Sequence, residues 1–189
     1  MTKYLLLLML CVSSCKEDKN DDIQNISDAK IKNGKYKFYK KNGELDKVLE
    51  YINLCGTQYL NQGWYFKNNM DTLFGKSNFY KISVEKSILK SDENSRIIIK
   101  YKPFMKNSIS VLLLGNKNID DNFCNLAKIR LDTLYFVDNK LEFNQSFRNK
   151  GTKMIGGYII EFKKVPEKIN NHNVYDERRV YFKIPFEVK

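Results

Sequence analysis

Few side chains in this sequence stand in a pattern typical of acid–base or nucleophilic catalysis. The chain has one histidine, His172, which lies among asparagines and is expected in a solvated loop. Glu142 and Glu161 could supply the two carboxylates that a glycosidase uses. Both glutamates, however, alternate with aromatic residues along predicted strands, as solvent-facing residues do. The sequence has no glycine-rich phosphate loop and no paired histidines at metal-ligand spacing, so we predict no enzymatic activity, no metal and no cofactor.

Three consecutive aromatic residues, Trp64, Tyr65 and Phe66, are the candidate binding residues of the sequence. Successive side chains of a strand point to opposite faces of a sheet, so both faces of this strand carry an aromatic ring. If the sheet buries only one face, at least one ring is exposed and could stack on a sugar or contact a protein. If both faces are covered, the three residues belong to the core.

The first fourteen residues have the features of a secretion signal. Lys3 provides a positive start, and an apolar run over 5–12 is shorter than the roughly 20 apolar residues that a membrane-spanning helix needs. Two serines and Cys15 end this run, and the chain becomes polar immediately afterwards. Residues 1–14 are therefore predicted to be cleaved off as a signal peptide and are excluded from the fold.

The residues Val12–Ser13–Ser14–Cys15 resemble the lipobox of bacterial lipoproteins. The resemblance implies that the thiol of Cys15 receives a diacylglyceryl group and that a peptidase cleaves just before this residue. Cys15 would then be the acylated first residue of a membrane-anchored protein, because two or three acyl chains hold a protein stably at a membrane. The alternatives are an ordinary secretion signal and a buried amino-terminal strand.

Lys16–Glu17–Asp18 resembles the lysine-plus-acidic signal with which some Gram-negative bacteria export lipoproteins to the cell surface. The alternative is that these residues are only part of a solvated tether. Large aliphatic side chains are nearly absent from residues 15–30, so this segment is predicted to be a flexible tether. The predicted location is the bacterial cell envelope, at the outer membrane, facing either the periplasm or the cell surface.

The formal net charge of +11 comes mostly from lysine. Lysine is a strongly hydrated point charge, whereas arginine is favoured for forked recognition of phosphate. In an exported protein nucleic acid is not an expected ligand, and the predicted partners are the membrane, another envelope protein or an acidic polysaccharide. A lysine-rich solvated surface without a specific partner explains the charge more simply still.

Two of the four cysteines, Cys55 and Cys124, remain after processing and acylation. In an oxidising compartment they could form a disulfide. Such a bond would close a loop of about 70 residues and stabilise the fold by about 4 kcal/mol in the chain-entropy model. The alternative is two separate buried thiols. A metal site is not expected there, because no histidine neighbours either cysteine.

From residue 34 onward the apolar pattern repeats every two residues, as it does in β-strands. Asn42–Gly43 between two alternating runs predicts a hairpin. The segment 34–45 resembles one unit of the MORN repeats, a family whose repeats are structural or interaction modules. A similar hairpin is expected from 58–67 and 72–83. Ordinary hairpin chemistry explains both without a repeat array.

Short strands between turn residues about every 8–15 positions predict an all-β fold, an antiparallel β-sandwich. From about residue 95 the strand spacing is similar to an immunoglobulin-like sandwich, which is an analogy of fold alone. Pro166–Glu177 is expected to be a polar loop. The predicted organisation is a β-hairpin region over 31–90 and a β-sandwich region over 91–189, and the two regions could form one domain.

Taken together, these features predict a lipid-anchored lipoprotein that binds a partner or serves as a structural part of an envelope or surface assembly. The alternative is an immunity or antitoxin-like lipoprotein that neutralises a partner toxin. An envelope hydrolase is the third hypothesis, and it requires a carboxylate pair in an open cleft.

Overall fold

The structure is a computed structural model that describes residues 33–68, 71–169 and 172–189, with the side chains of all of these except 167–169 and 172. The predicted signal peptide, the lipidation site Cys15 and the tether 15–30 lie outside the described residues. Eleven strands and one 3-10 turn form the secondary structure of the described part, which confirms the predicted all-β fold class. None of the described residues belongs to a helix that is apolar and long enough to cross a membrane.

In chain order the elements are β1 (Gly34–Tyr39), β2 (Leu45–Leu54), β3 (Thr57–Tyr65), β4 (Tyr80–Val84), β5 (Ile88–Leu89), β6 (Ser95–Tyr101), β7 (Ile109–Gly115), η1 (Leu126–Lys128), β8 (Leu131–Tyr135), β9 (Lys140–Gln145), β10 (Gly151–Ile169) and β11 (His172–Val188). They form three sheets with the strand orders β1-β2-β3, β5-β11-β10-β7-β8 and β4-β6-β9. Every strand pair is antiparallel except β5 with β11. The described residues form one compact unit.

The main core lies between the β4-β6-β9 sheet and one face of the five-stranded sheet. Alternate residues of β11 from Val180 to Phe186 are buried in this core, as the period of a strand requires. Opposite them lie Ile97 and Ile99 of β6 and Leu141 of β9. The apolar faces of two sheets therefore pack on each other, which is the arrangement of a β-sandwich.

A second, smaller core covers the other face of the five-stranded sheet. Tyr181 lies between the main-core residues of β11 and packs here with Phe123 and Leu126. Ile52 of β2 and Tyr59 of β3 pack against the same cluster, which joins the β1-β2-β3 sheet to the sandwich.

The side chain of Asn61 covers an open edge of β11. Strand β5 pairs with β11 only at Glu187 and Val188, so the main chain of Tyr181 has no strand partner on that side. The buried amide of Asn61 donates to the carbonyl oxygen of Tyr181 at 2.9 Å and accepts from its N–H at 2.7 Å. The side chain thus takes the place of a neighbouring strand and satisfies backbone groups that burial would otherwise leave without partners.

Pro185 also faces this open edge. The N–H of Glu187, two residues further on, donates to the carbonyl oxygen of Ser87 beside β5. Because alternate residues of a strand direct their N–H groups to the same side, the missing N–H of Pro185 falls where β5 does not reach. The proline therefore removes no hydrogen bond from the sheet.

The hairpin predicted at Asn42–Gly43 is confirmed, because β1 and β2 pair antiparallel across it and Gly43 has a φ of 82°. The second predicted hairpin is wrong in its return strand. Within the described residues, backbone pairing of 72–83 with the preceding segment is limited to isolated bridges, Phe66 with Thr72 and Gly63 with Asn78. Strand β4 pairs instead with β6, because Ile82 and Val84 pack against the main core.

The loop predicted at Pro166–Glu177 is also wrong. Strands β10 and β11 continue to pair up to Ile169 and His172, beyond the last contact of β10 with β7 at Phe162. The segment is polar because β10 and β11 form a two-stranded ribbon there that, within the described residues, no third strand covers on the β7 side, and not because it is a loop. Pro166 lies in the one stretch of shifted register, between Lys164 and Lys168, where a missing N–H is tolerated.

Candidate binding groove

The outer face of the β4-β6-β9 sheet carries the candidate site. Each of these strands turns alternate residues toward the main core and the residues between them toward solvent. In β6, for example, Ile99 and Tyr101 are buried while Lys100 between them is exposed. The sequence thus fixes which side chains of each strand are available at the surface, and the pairing of the strands fixes which of them are neighbours.

The register of the three strands lines up three lysines. Lys81 of β4 lies directly opposite Lys100 of β6, and Lys100 lies directly opposite Lys140 of β9. We call these three residues the lysine row. Side chains directly opposite each other on neighbouring strands have Cβ atoms about 4.5–5.5 Å apart, and like charges in such positions destabilise a sheet. The row therefore concentrates positive charge at some expense of stability.

Only one member of the lysine row has an anionic partner among the described residues. The ammonium group of Lys140 lies 3.0 Å from a carboxylate oxygen of Glu142. Within the same part of the chain Lys81 and Lys100 form no ion pair. Their charges are consequently exposed to solvent and available to a ligand.

The lysine row lies in an open groove of about 810 Å³. Phe74 and Phe79, from the segment before β4, line the groove together with Tyr135 at the end of β8 and Val137 before β9. Phe74 is 59% exposed and Tyr135 is 70% exposed, so two aromatic rings are free to meet a ligand. The groove thus combines cationic groups with apolar rings.

Charge in the groove is predominantly positive. Lysines at four positions and carboxylates at two line it, the additional residues being Lys102 and Asp138. The carboxylate of Glu142 accepts a hydrogen bond from Nε of Arg96 at 2.6 Å. The hydrogen bonds from Arg96 and then Lys140 lower the pKa of Glu142 to about 2, so it is ionised at neutral pH and neutralises part of the local charge.

Glu161 differs from the prediction, because it is fully buried rather than solvent-facing. It lies where β10 pairs with β7 on one side and β11 on the other, so the alternation with aromatic residues does not mark an exposed face. Its carboxylate accepts hydrogen bonds from the hydroxyl groups of Tyr101 (2.7 Å) and Ser108 (2.6 Å) and from the N–H groups of Phe104 (3.1 Å) and Met105 (2.6 Å).

These four donors occupy the acceptor sites that a general acid or base would need. Burial is the main cause that raises the pKa of Tyr101 above its ordinary value, followed by the charge of Glu161 beside it. Tyr101 thus remains a neutral donor to Glu161. The arrangement fixes the segment from Phe104 to Ser108 against β10 and gives Glu161 a structural role.

The predicted aromatic residues are not part of the groove lining. Trp64, Tyr65 and Phe66 are all half-buried. Trp64 stacks on Phe79 with ring centroids 5.8 Å apart, and the ammonium group of Lys35 lies 4.6 Å from the Trp64 ring. Trp64 therefore supports the groove wall through Phe79 and does not itself face the lysine row.

Cys55 and Cys124 are joined by a disulfide. The N–H of Cys55 also donates to the carbonyl oxygen of Asn122 at 2.9 Å, so the turn between β2 and β3 is held to the loop before η1. Within the described residues no three histidine, cysteine or carboxylate side chains are grouped to hold a metal ion. The side chain of His172 lies outside the described residues, as does Cys15.

No protein-family model, curated protein or solved structure matches this chain. Fold and groove therefore define a class only, an all-β sandwich-like module with a cationic and aromatic groove. The resemblances to MORN repeats and to immunoglobulin-like sandwiches remain predictions.

Sequence reasoning missed the lysine row. The available signal was a lysine at an exposed, alternating position in each of three predicted strands. That signal does not identify neighbours, because the two pairings depend on the strand order β4-β6-β9 and on register.

Proposed function

We propose that this protein is an exported, lipid-anchored lipoprotein of the bacterial envelope that acts as a non-catalytic binding module. The groove with the lysine row is the observation that carries the binding role, because Lys81 and Lys100 form no ion pair within the described residues. The signal-like residues 1–14 and the lipobox-like sequence that ends at Cys15 support the anchor.

The Cys55–Cys124 disulfide supports an exported location, because disulfides persist in oxidising compartments and are rare in the cytosol. In this proposal the acylated Cys15 holds the protein at the outer membrane. Residues 15–30 then give the folded part room to meet its partner. The partner is an acidic polysaccharide or another envelope protein, and nucleic acid is not proposed.

We propose a non-catalytic role because the two carboxylates that a hydrolase would use are both held by hydrogen bonds or ion pairs within the chain. Glu161 is buried and its oxygens are occupied by four donors. Glu142 is engaged by Arg96 and Lys140. Neither carboxylate is poised to hold or accept a proton at a substrate.

Metabolic labelling with an alkyne analogue of palmitate tests the anchor directly. The full-length protein is expected to incorporate the label and to fractionate with membranes, whereas Cys15→Ser is expected to lose both properties. Cys11→Ser is the matched control, since it removes a thiol from the apolar run and leaves Cys15 intact. Unlabelled wild-type protein that retains its first methionine in the soluble fraction would overturn the anchor.

Mass spectrometry of the same membrane fraction under non-reducing conditions tests the compartment. A linked peptide pair containing Cys55 and Cys124 is expected. Alkylation of both thiols without prior reduction would contradict the exported location.

A further inference from the structure

We infer that the lysine row and its groove bind an anionic glycan, a polysaccharide that carries carboxylate or sulfate groups. The inference rests on the proposed function for the location of the protein, and it names the class of ligand for the groove.

The charges of the groove favour an extended polyanion. Lys81, Lys100 and Lys140 stand opposite one another across three strands, so their ammonium groups repel each other in the free protein. Neighbouring strands lie about 4.7–4.9 Å apart, so the row spans about 9–10 Å. An anionic chain laid across the strands would relieve this repulsion at more than one point, whereas a single small anion would relieve it at one.

The apolar lining favours a sugar as the carrier of the anions. Tyr135, at the end of β8, and Phe74, before β4, are both exposed residues that line the same groove. The C–H faces of sugar rings pack on aromatic rings, and their hydroxyl groups can be met by polar groups such as the side chain of Asn139. A glycan with charged substituents therefore matches both parts of the surface.

The type of cation is consistent with carboxylate or sulfate. All four cations that line the groove are lysines, whose ammonium groups act as point charges and do not require the planar, forked geometry that arginine offers to phosphate. Arg96, which lies on the same strand as Lys100, donates to Glu142.

Binding is measured with the full-length protein in detergent, by calorimetry at several salt concentrations. The probes are octasaccharides derived from heparin and from polygalacturonate, with neutral maltooctaose and an eight-nucleotide oligothymidylate for comparison. Both anionic sugars are expected to bind the wild type, with an affinity that falls as salt rises. The neutral sugar is expected to bind at least tenfold more weakly, because it lacks the anions.

Two variants and a control locate the site. Lys81→Gln with Lys100→Gln is expected to lower affinity for the anionic sugars by roughly tenfold or more and to weaken the salt dependence. Tyr135→Ala is expected to lower affinity several-fold while leaving the salt dependence unchanged. Lys163→Gln with Lys164→Gln removes the same charge from exposed positions on β10 outside the groove, and it is expected to change affinity by less than twofold.

Equal losses in the two double-lysine variants would overturn the site, because the effect would then follow net charge alone. Failure of both anionic sugars to bind, or tighter binding of the oligothymidylate through the same lysines, would overturn the ligand class. These results are independent of acylation. If the protein incorporates the palmitate label but does not bind the anionic sugars, only this inference is refuted. If it binds the sugars but is never acylated, only the anchor is refuted.

Discussion

The β4-β6-β9 sheet has a charged region on each side, and the two differ in whether the protein itself supplies partners for the charge. On the inner side, the carboxylate of Glu161 is buried and accepts four hydrogen bonds from groups of this chain. On the outer side, Lys81 and Lys100 are exposed and form no ion pair within the described residues. Strand β6 serves both regions, since Tyr101 points inward to Glu161 and its neighbour Lys100 points outward.

This difference separates a structural charge from a charge available for binding. A buried anion must be satisfied by the protein itself, because leaving it unpaired would cost several kcal/mol. Exposed cations are hydrated and can remain without a protein partner, so their clustering is tolerated and can be used by a ligand. Removal of charge should therefore have opposite effects on stability in the two regions.

The largest effect is expected from Glu161→Ala. The substitution leaves the buried hydroxyl group of Tyr101 without its acceptor and removes the acceptor of the part-buried N–H groups of Phe104 and Met105. Ser108 can still donate to the carbonyl oxygen of Met105, and each donor that loses its acceptor costs about 1–3 kcal/mol. We expect the free energy of unfolding to fall by at least about 3 kcal/mol in urea denaturation. Glu142→Ala, at the exposed carboxylate, is the control and should leave the denaturation midpoint nearly unchanged. Similar losses in both variants would contradict the distinction between the regions.

A smaller loss is expected from Tyr101→Phe. This change removes one of the four donors to Glu161 and keeps the aromatic ring in the main core. A hydrogen bond to a charged group contributes about 1.5–3 kcal/mol, and we expect the lower end, about 1.5 kcal/mol, because three donors remain. An unchanged unfolding curve would show that the Tyr101 hydroxyl does not support the carboxylate.

A small gain in stability is expected from Lys100→Gln. Lys100 is the middle of the lysine row, so its neutralisation removes like-charge repulsion toward Lys81 and Lys140 together. We expect the free energy of unfolding to rise by about 0.2–1 kcal/mol at low salt and the gain to shrink in high salt. Destabilisation by Lys100→Gln at low salt would show that the row is a structural feature rather than a strained binding surface.

The smallest effect concerns the titration of Glu142. Its pKa of about 2 lies below the ordinary value because Arg96, and then Lys140, donate hydrogen bonds to it. The stabilisation that follows is present above the ordinary pKa and is lost as the pH falls from there toward 2. In carboxyl NMR spectra we expect Arg96→Gln to raise the pKa of Glu142. A pKa that stays near 2 in this variant would show that another group lowers it.

Much of the fold followed from local pattern. The period of two predicted most strands, and Asn42–Gly43 predicted a hairpin that is present. The wrong predictions are those in which the local residue composition was used to assign a loop or a strand partner. The described part of the polar segment 166–177 lies in a ribbon of two paired strands. The end of the segment 72–83, in β4, pairs with β6 instead of its expected partner. In both places the outcome depends on distant strands, which local composition does not describe.

The candidate site was less predictable than the fold. None of the three aromatic residues singled out from the sequence lines the groove, and only Trp64 stacks on a residue that does, Phe79. Glu161 and Glu142 looked equivalent in sequence, since both alternate with aromatic residues. Only the packing of β10 between β7 and β11 buries Glu161.

By itself the sequence determined the fold class, because alternation and turn residues act over a few neighbouring positions. It also carries the signal-like segment that ends at Cys15, a feature of local residue type. The tertiary structure decided which charges meet. Lys81, Lys100 and Lys140 are far apart along the chain, and only strand order and register bring them into one row. A one-residue shift of any of these strands would turn its lysine toward the core, so the row exists only because the packing of the whole sandwich fixes that register.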